Sequence, residues 1–350
     1  MPKFQKTIRK GFSLTGRTSQ LGTPVTLEFK QAQPGTGIVF ERNGKRIPAN
    51  SRTLQSGGFL KNSVLGWSSI AFREGKTRVS TAEHLMAALK AGGVDNCVVR
   101  INGRNVPRFA ESTKEYIEML QDNKLRQDTV RRKIVVNFSR SPYLMSTSRQ
   151  LGELREILAK RGIPQQFFDL SDRKPCIVIQ HPNPKYPDLL IIRPAKGFVI
   201  SSGFGYFSHK ALSKTQFHRM EVNLANYQQQ LMEARTLAFP GIKGHLARPF
   251  LKLGEIKFPK GFRLHGIDAE TAVLAGKKSN AQLLNDPQNP KEKVRYADEE
   301  IVRHKQMDLL GVLAAFPGHF QNIEIFAFKP SHKFLIESLQ KLQQLGIISF

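Results

Sequence analysis

Acidic side chains are scarce in this chain. Only 28 Asp and Glu stand against 54 Lys and Arg in 350 residues, a formal net charge of +26, and the first 27 residues hold no acid at all. A positive field of that size attracts polyanions such as RNA, DNA, acidic membrane surfaces or phosphorylated substrates. Cysteine is almost absent: Cys97 and Cys176 are far apart and in no metal-spaced pattern. That excludes a disulfide framework and a thiolate metal site, and it points to a reducing compartment with buried thiols. No apolar run approaches the roughly 20 residues of a membrane-spanning helix. The N-terminus lacks the apolar core and small-residue cleavage site of a secretory signal. Its acid-free, basic start loosely resembles a mitochondrial presequence, but Gln5–Ile8 and Val25–Phe29 read as strands, which favours a folded domain there. No internal repeat is visible in the residues themselves.

What is present suffices for two domains with cores of their own, at 40% hydrophobic content. Both halves read as strands followed by helices, an α+β pattern. In the first, the runs Val25–Phe29, Gly37–Phe40 and Cys97–Ile101 read as strands and Ser112–Leu120 as a helix. The polar stretch Gln121–Lys133 reads as a linker, which sets a first domain at 1–130 and a second at 131–350. The second opens on the strand Ile134–Phe138. Residues 141–188, with a helix over Leu151–Lys160 and a Pro-rich stretch near Pro182–Lys185, behave as an insertion without evident chemistry. Strands at Leu189–Ile192, Gly197–Ile200 and Ile323–Phe328 follow, the last apolar on both faces. A stripe of Leu224, Tyr227, Leu231 and Ala234 marks a helix, and Leu335, Leu339 and Leu342 mark the last one.

Two helix starts carry titratable side chains. Near Arg295–Asp308, Asp298 suits an N-cap and Glu299–Glu300 suit the positive end of the helix dipole. His304 and Asp308 lie four apart and leave one face in consecutive turns, a spacing that can hold one divalent cation. The plain alternative is an ordinary i,i+4 polar contact. At Val79–Leu89, Ser80 and Glu83 have capping-box spacing, which starts a helix at Thr81 and gives Glu83 a structural reading as a cap. His84 beside it has the plain reading of a half-buried first-turn residue.

Taken together, Thr81–Leu89 with Gly93–Asn96, then Ala234-Arg235-Thr236, then Arg295–Asp308, then Ser331-His332 resemble, in this order, the UDP-3-O-acyl-N-acetylglucosamine deacetylase family. These are zinc enzymes of lipid A biosynthesis. The likeness runs from about Gln5 to Leu342, interrupted at 141–188. It implies an α+β fold of two similar layered sheet-and-helix domains, packed face to face with the site between them. It implies His84, His304 and Asp308 as ligands of Zn2+, Glu83 as general base, and His332 as a cation or general acid. Thr236 would hydrogen-bond the oxyanion, and Lys305 would lie near a UDP-sugar lipid precursor as substrate. The chain departs from the family at several positions. Val312 stands where an aspartate pairs with the catalytic histidine, Gln20 replaces a histidine, Leu237 a phenylalanine, and Phe109–Ser112 a Met-Asp-Gly-Ser turn. The expectation is a zinc-dependent deacetylase, cytoplasmic if bacterial. The alternative, motivated by charge, insertion and Val312, is a catalytically altered member serving as an RNA-associated structural protein of a mitochondrial ribosome or other ribonucleoprotein, in the mitochondrial matrix.

Overall fold

A computed structural model of the chain describes residues 4–18, 22–57, 69–109, 112–163, 174–205, 210–212, 214–238, 272–275, 283–291, 293–296 and 299–350. Six α-helices lie among the described residues: α1 (Glu83–Gly92), α2 (Lys114–Gln121), α3 (Ser148–Lys160), α4 (Leu224–Gln230), α5 (Glu300–Leu313) and α6 (His332–Gln344).

The first half carries a five-stranded sheet in the spatial order Phe12–Arg17, Pro24–Gln31, Cys97–Ile101, Ile38–Arg42, Lys45–Pro48. Its neighbours are antiparallel except Cys97–Ile101 with Ile38–Arg42. The second half carries a six-stranded sheet ordered Leu144–Met145, Cys176–Gln180, Leu189–Pro194, Ile323–Phe328, Phe198–Phe204, Gln216–Glu221. Again one pair is parallel, Phe198–Phe204 with Ile323–Phe328. Without the short first strand the two orders coincide. In each, the strand last in sequence sits third in the sheet, preceded in the chain by one helix (α1, α5) and followed by another (α2, α6). The repeat that residue identities conceal is therefore present in the topology. The fold is α+β, two layered sheet-and-helix halves whose α1 and α5 pack against each other.

One apolar core runs through both halves. Phe29, Phe40 and Val99 of the first sheet, Leu85, Met86 and Leu89 of α1, Met307, Leu310 and Leu313 of α5, and Ile192, Ile200 and Ile325 of the second sheet all belong to it. The α1–α5 contact depends on Gly311: a Cβ there would stand 2.3 Å from the Glu83 carbonyl oxygen. A second core forms where Leu151, Leu154 and Leu158 of α3 cover Val178, Leu189, Ile191, Phe326 and Phe328 on the outer face of the six-stranded sheet. Thr147 caps α3 with a full capping box to Gln150. Cys97 and Cys176 are buried free thiols.

Several sequence expectations require correction. Lys124–Val130 is no linker: it is a strand antiparallel to Phe4–Ile8. Its side chains are mostly exposed, so backbone pairing rather than an apolar face defines it, and composition reads as a loop. The helix α1 starts at Glu83 rather than Thr81, with Ala82 as N-cap and no side-chain cap. The stripe Leu224–Ala234 is helical only to Gln230. Asp298 and Gln20, and Ala110-Glu111 of the Phe109–Ser112 turn, lie outside the described residues. No helix among the described residues is long and apolar enough to cross a membrane.

Candidate active site

The first element of the site is the entry to α1. The three-stranded meander Leu54–Gly57, Ser69–Glu74, Thr77–Ser80 ends at Ser80. Thr81 then takes φ +56°, a conformation that a β-branched residue adopts only under local constraint. Its hydroxyl donates to the Val106 carbonyl at 3.0 Å. The chain reverses, and Ile70 holds the helix start from both sides: its carbonyl accepts from Ala82 N–H, and its N–H donates to Glu83 Oε2 at 3.0 Å. The Glu83 carboxylate is thus not a cap of its own helix. It leans on the neighbouring strand, and His84 follows it on the side facing α5.

The second element is α5. Gly93, in the left-handed region, ends α1; α5 crosses it with His304, Lys305 and Asp308 turned to the same place. His84 Nε2 lies 3.6 Å and His304 Nε2 3.7 Å from Asp308 Oδ1, and the two imidazole rings stand edge to face at 4.9 Å. One ligand atom from each of His84, His304 and Asp308 lies within 4.8 Å of the others. On the other carboxylate oxygen, Lys305 Nζ sits at 3.0 Å and His332 Nε2 at 3.7 Å. His332 is the first residue of α6, whose N-cap Ser331 accepts from Phe334 N–H and donates its own N–H to Asp188.

Electrostatics agree with a metal-ligating role for this set. Burial pushes the His304 imidazole down to about 3, so it is neutral. Its Nδ1 is 3.0 Å from the Ala234 carbonyl. A neutral ring can meet a carbonyl only as donor, so the proton is on Nδ1 and the Nε2 lone pair faces Asp308. For Asp308, burial opposes ionisation, but the Lys305 ammonium at 3.0 Å and the hydrogen bond from His332 outweigh it and hold the carboxyl well below the usual range. Two imidazoles and an ionised carboxylate, converging and with one tautomer fixed, form a donor set that suits a divalent cation.

The sequence-predicted residues therefore separate into two groups. His84, His304, Asp308, Lys305 and His332 converge, with Glu83 adjacent to His84. Thr236 begins the short strand Thr236–Ala238, two residues after the Ala234 carbonyl that receives His304. Val312 is fully buried and contributes no charge, but His332 is not without an acid, since Asp308 itself lies 3.7 Å away. Sequence reasoning missed the buried pair of Arg235 and Glu300 behind the site, both about 1% exposed. It had assigned Glu300 to the helix dipole. It also missed Asp188 under Ser331 and Lys329, which has φ +41° three residues before His332. Only the Ala-Arg-Thr motif signalled any of this.

Comparison with known proteins bears on this geometry. A family model described as UDP-3-O-acyl N-acetylglycosamine deacetylase matches residues 5–152, a span that holds Glu83 and His84. Three proteins named UDP-3-O-acyl-N-acetylglucosamine deacetylase align far beyond it. That of Psychrobacter arcticus is 26% identical over 94% of this chain and 82% of its own length. That of Syntrophotalea carbinolica is 26% identical over 97% and 87%. That of Citrifermentans bemidjiense is 28% identical over 99% and 92%. The chain is thus similar to UDP-3-O-acyl-N-acetylglucosamine deacetylases over nearly its whole length, at 26–28% identity. Its relatives cover both site helices, so the five converging side chains fall inside the shared length.

Proposed function

We propose that this protein is a zinc-dependent deacetylase that hydrolyses the N-acetyl group of a UDP-3-O-acyl-N-acetylglucosamine. The single observation that carries the reading is the convergence of His84, His304 and Asp308 from two different helices onto one point. These three residues would hold Zn2+. Bound there, the ion supplies Lewis acidity that brings the pKa of a water toward neutrality and leaves room for it, because only three protein groups are engaged.

The remaining steps belong to the chain's own residues. Glu83, held by the Ile70 N–H and next in sequence to His84, accepts the proton that the attacking water loses. The Thr236 hydroxyl donates to the oxyanion that the amide carbonyl becomes. His332, paired with Asp308 from the far side, carries the positive charge that balances that oxyanion and then gives a proton to the departing amine. Lys305, about a quarter exposed, keeps Asp308 ionised and offers its ammonium to the substrate diphosphate.

Release of acetate from the acylated UDP-sugar by zinc-loaded protein, lost on Glu83→Ala with metal content unchanged, is the expected result. Protein that binds no zinc and releases no acetate would overturn it. A second reading, RNA binding by the same surface in a ribonucleoprotein, is supported by the +26 charge alone. It requires RNA affinity that falls steeply with salt, and absence of RNA binding at low salt removes it.

A further inference from the structure

The segment Glu233–Arg235, which leads into the strand Thr236–Ala238, is tied to Glu300 at the start of α5 and to the residues before that helix by a set of polar contacts. Glu233 N–H donates to the Tyr296 hydroxyl at 3.3 Å, and Arg295 Nη1 donates to the Glu233 carbonyl at 2.9 Å. Arg235 N–H donates to Glu300 Oε1 at 3.0 Å. The Arg235 guanidinium grips both Glu300 oxygens, Nε at 2.7 Å and Nη2 at 3.1 Å, and reaches the Lys291 and Lys293 carbonyls. Glu300 also accepts Arg295 N–H at 2.7 Å. Between these ties lies the Ala234 carbonyl, which receives His304 Nδ1–H at 3.0 Å, and immediately after them lies Thr236.

Glu300 and His304 are one helical turn apart, so they share a face of α5. Ala234 and Arg235 are adjacent in the segment just before the strand Thr236–Ala238. The ion pair and the imidazole–carbonyl contact are therefore successive rungs between the same two segments. If the first rung loosens, the second carbonyl moves, and so does the hydroxyl of Thr236. We infer that the Arg235–Glu300 pair is a positioning bracket for the site: it fixes the Nδ1–H tautomer of His304, and with it the metal-facing Nε2, and it sets Thr236 in register with that nitrogen. Neither residue belongs to the His84–His304–Asp308 cluster itself. A planar fork that contacts one carboxylate and two carbonyls at once cannot be replaced by an ammonium. This inference rests on the reading of the cluster as a zinc site, and its test separates the two.

The experiment compares the full-length protein with Arg235→Lys and Glu300→Gln. It measures zinc affinity by chelator competition and the His304 tautomer by long-range 15N–1H correlation in metal-free protein, and it separates kcat from KM. The expected result is a 10- to 100-fold weaker zinc affinity, the size typical for losing a group that orients a ligand. An Nε2–H tautomer should appear at His304, and kcat should fall more than KM changes. Zinc affinity within twofold of the parent with the Nδ1–H tautomer retained would overturn the inference. Should either variant fail to fold, Arg295→Gln, which releases only the side-chain hold on Glu233, must weaken zinc binding in the same direction by a smaller factor; an unchanged affinity counts against the bracket. A parent protein that binds no zinc overturns the proposed function, whereas the tautomer in the metal-free parent and variants still decides the bracket.

Discussion

The two sheets share a strand order and differ in what covers their outer faces. On the first sheet, Arg100 of Cys97–Ile101 reaches Glu28 and Glu41 of its two neighbours, and all three remain accessible to water. On the second, the topologically equivalent strand carries the opposite sign: Glu324 lies between Arg193 and Arg219 and also accepts from Ser201. The α3 insertion covers the part of that face formed by Val178, Leu189, Ile191, Phe326 and Phe328, and Glu324 on the same face is fully buried. Alternation follows from this. Pro24–Gln31 buries every second residue, whereas Ile323–Phe328 buries all six. The same topology thus tolerates a wet outer face or a dry one, provided that the charge on the central strand has partners suited to its burial.

The largest effect is expected at Glu324. Glu324→Ala leaves Arg193, 14% exposed, without its carboxylate, and breaking a buried pair in this way costs about 3–5 kcal/mol. Denaturant unfolding would show it, and a loss below about 1 kcal/mol would mean that the second sheet is as wet as the first. The pair also predicts a pH dependence. Burial raises the Glu324 pKa, but Arg193 and the hydrogen bonds from Arg219 and Ser201 overcome this, and the net shift is downward. A depressed carboxylate contributes stability above its unfolded pKa, about 4.3, and loses it as pH falls through the folded value. Acid unfolding curves of the parent should therefore steepen below about pH 4.3 relative to Glu324→Gln.

The helices sharpen the comparison from the inside. Gly311 on α5 and Gly92 on α1 are both helical, but a Cβ at Gly311 meets the Glu83 backbone at 2.3 Å, and one at Gly92 meets only the Leu120 side chain at 3.6 Å. Gly311→Ala must part α1 from α5, at about 1–3 kcal/mol for overpacking, and must carry His84 away from His304. Zinc affinity should fall with stability. Gly92→Ala, at the last residue of α1 with room for a methyl, should stabilise by about 0.4–1 kcal/mol. Equal behaviour of the two would mean that the helices slide freely past each other.

This asymmetry also accounts for how much the sequence disclosed. The strands Cys97–Ile101 and Ile323–Phe328 were legible to the residue, because each is a bounded apolar run of β-branched and aromatic side chains. The His304–Asp308 spacing was legible because both residues share one helix. Lys124–Val130 was not, since its partner Phe4–Ile8 is about 120 positions away and its own side chains face water. The cap reading of Glu83, given beside its reading as general base, fails for the same reason: its carboxylate goes to Ile70 on another strand, not to its own helix. The Arg235–Glu300 pair, 65 positions apart, has no local pattern at all. What one element decides alone can be read in order along the chain; what two elements decide jointly appears only once they meet.

A smaller effect tests the cover itself. Thr147→Ala removes the capping box of α3, at about 0.5–2 kcal/mol. If α3 folds as a layer on the second sheet, Glu324 should be affected in step: the two losses, measured singly and together, should depart from additivity by about 0.5 kcal/mol or more. Strict additivity would make α3 a passenger on the sheet.

The smallest effect belongs to the wet face, and it completes the contrast. Arg100 is about half exposed and its partners Glu28 and Glu41 are 43% and 26% exposed. Ion pairs so placed give about 0.2–1 kcal/mol, because water screens the attraction and two long side chains lose freedom to make it. Arg100→Ala should cost no more than that, and the cost should shrink as salt rises from about 0.1 M to 1 M and the Debye length contracts from about 10 Å to 3 Å. The Glu324 penalty should change less over the same range, since its carboxylate is fully buried and its partner Arg193 is only 14% exposed. If both penalties respond equally to salt, the two faces are equally hydrated, and the insertion covers the second sheet without drying it.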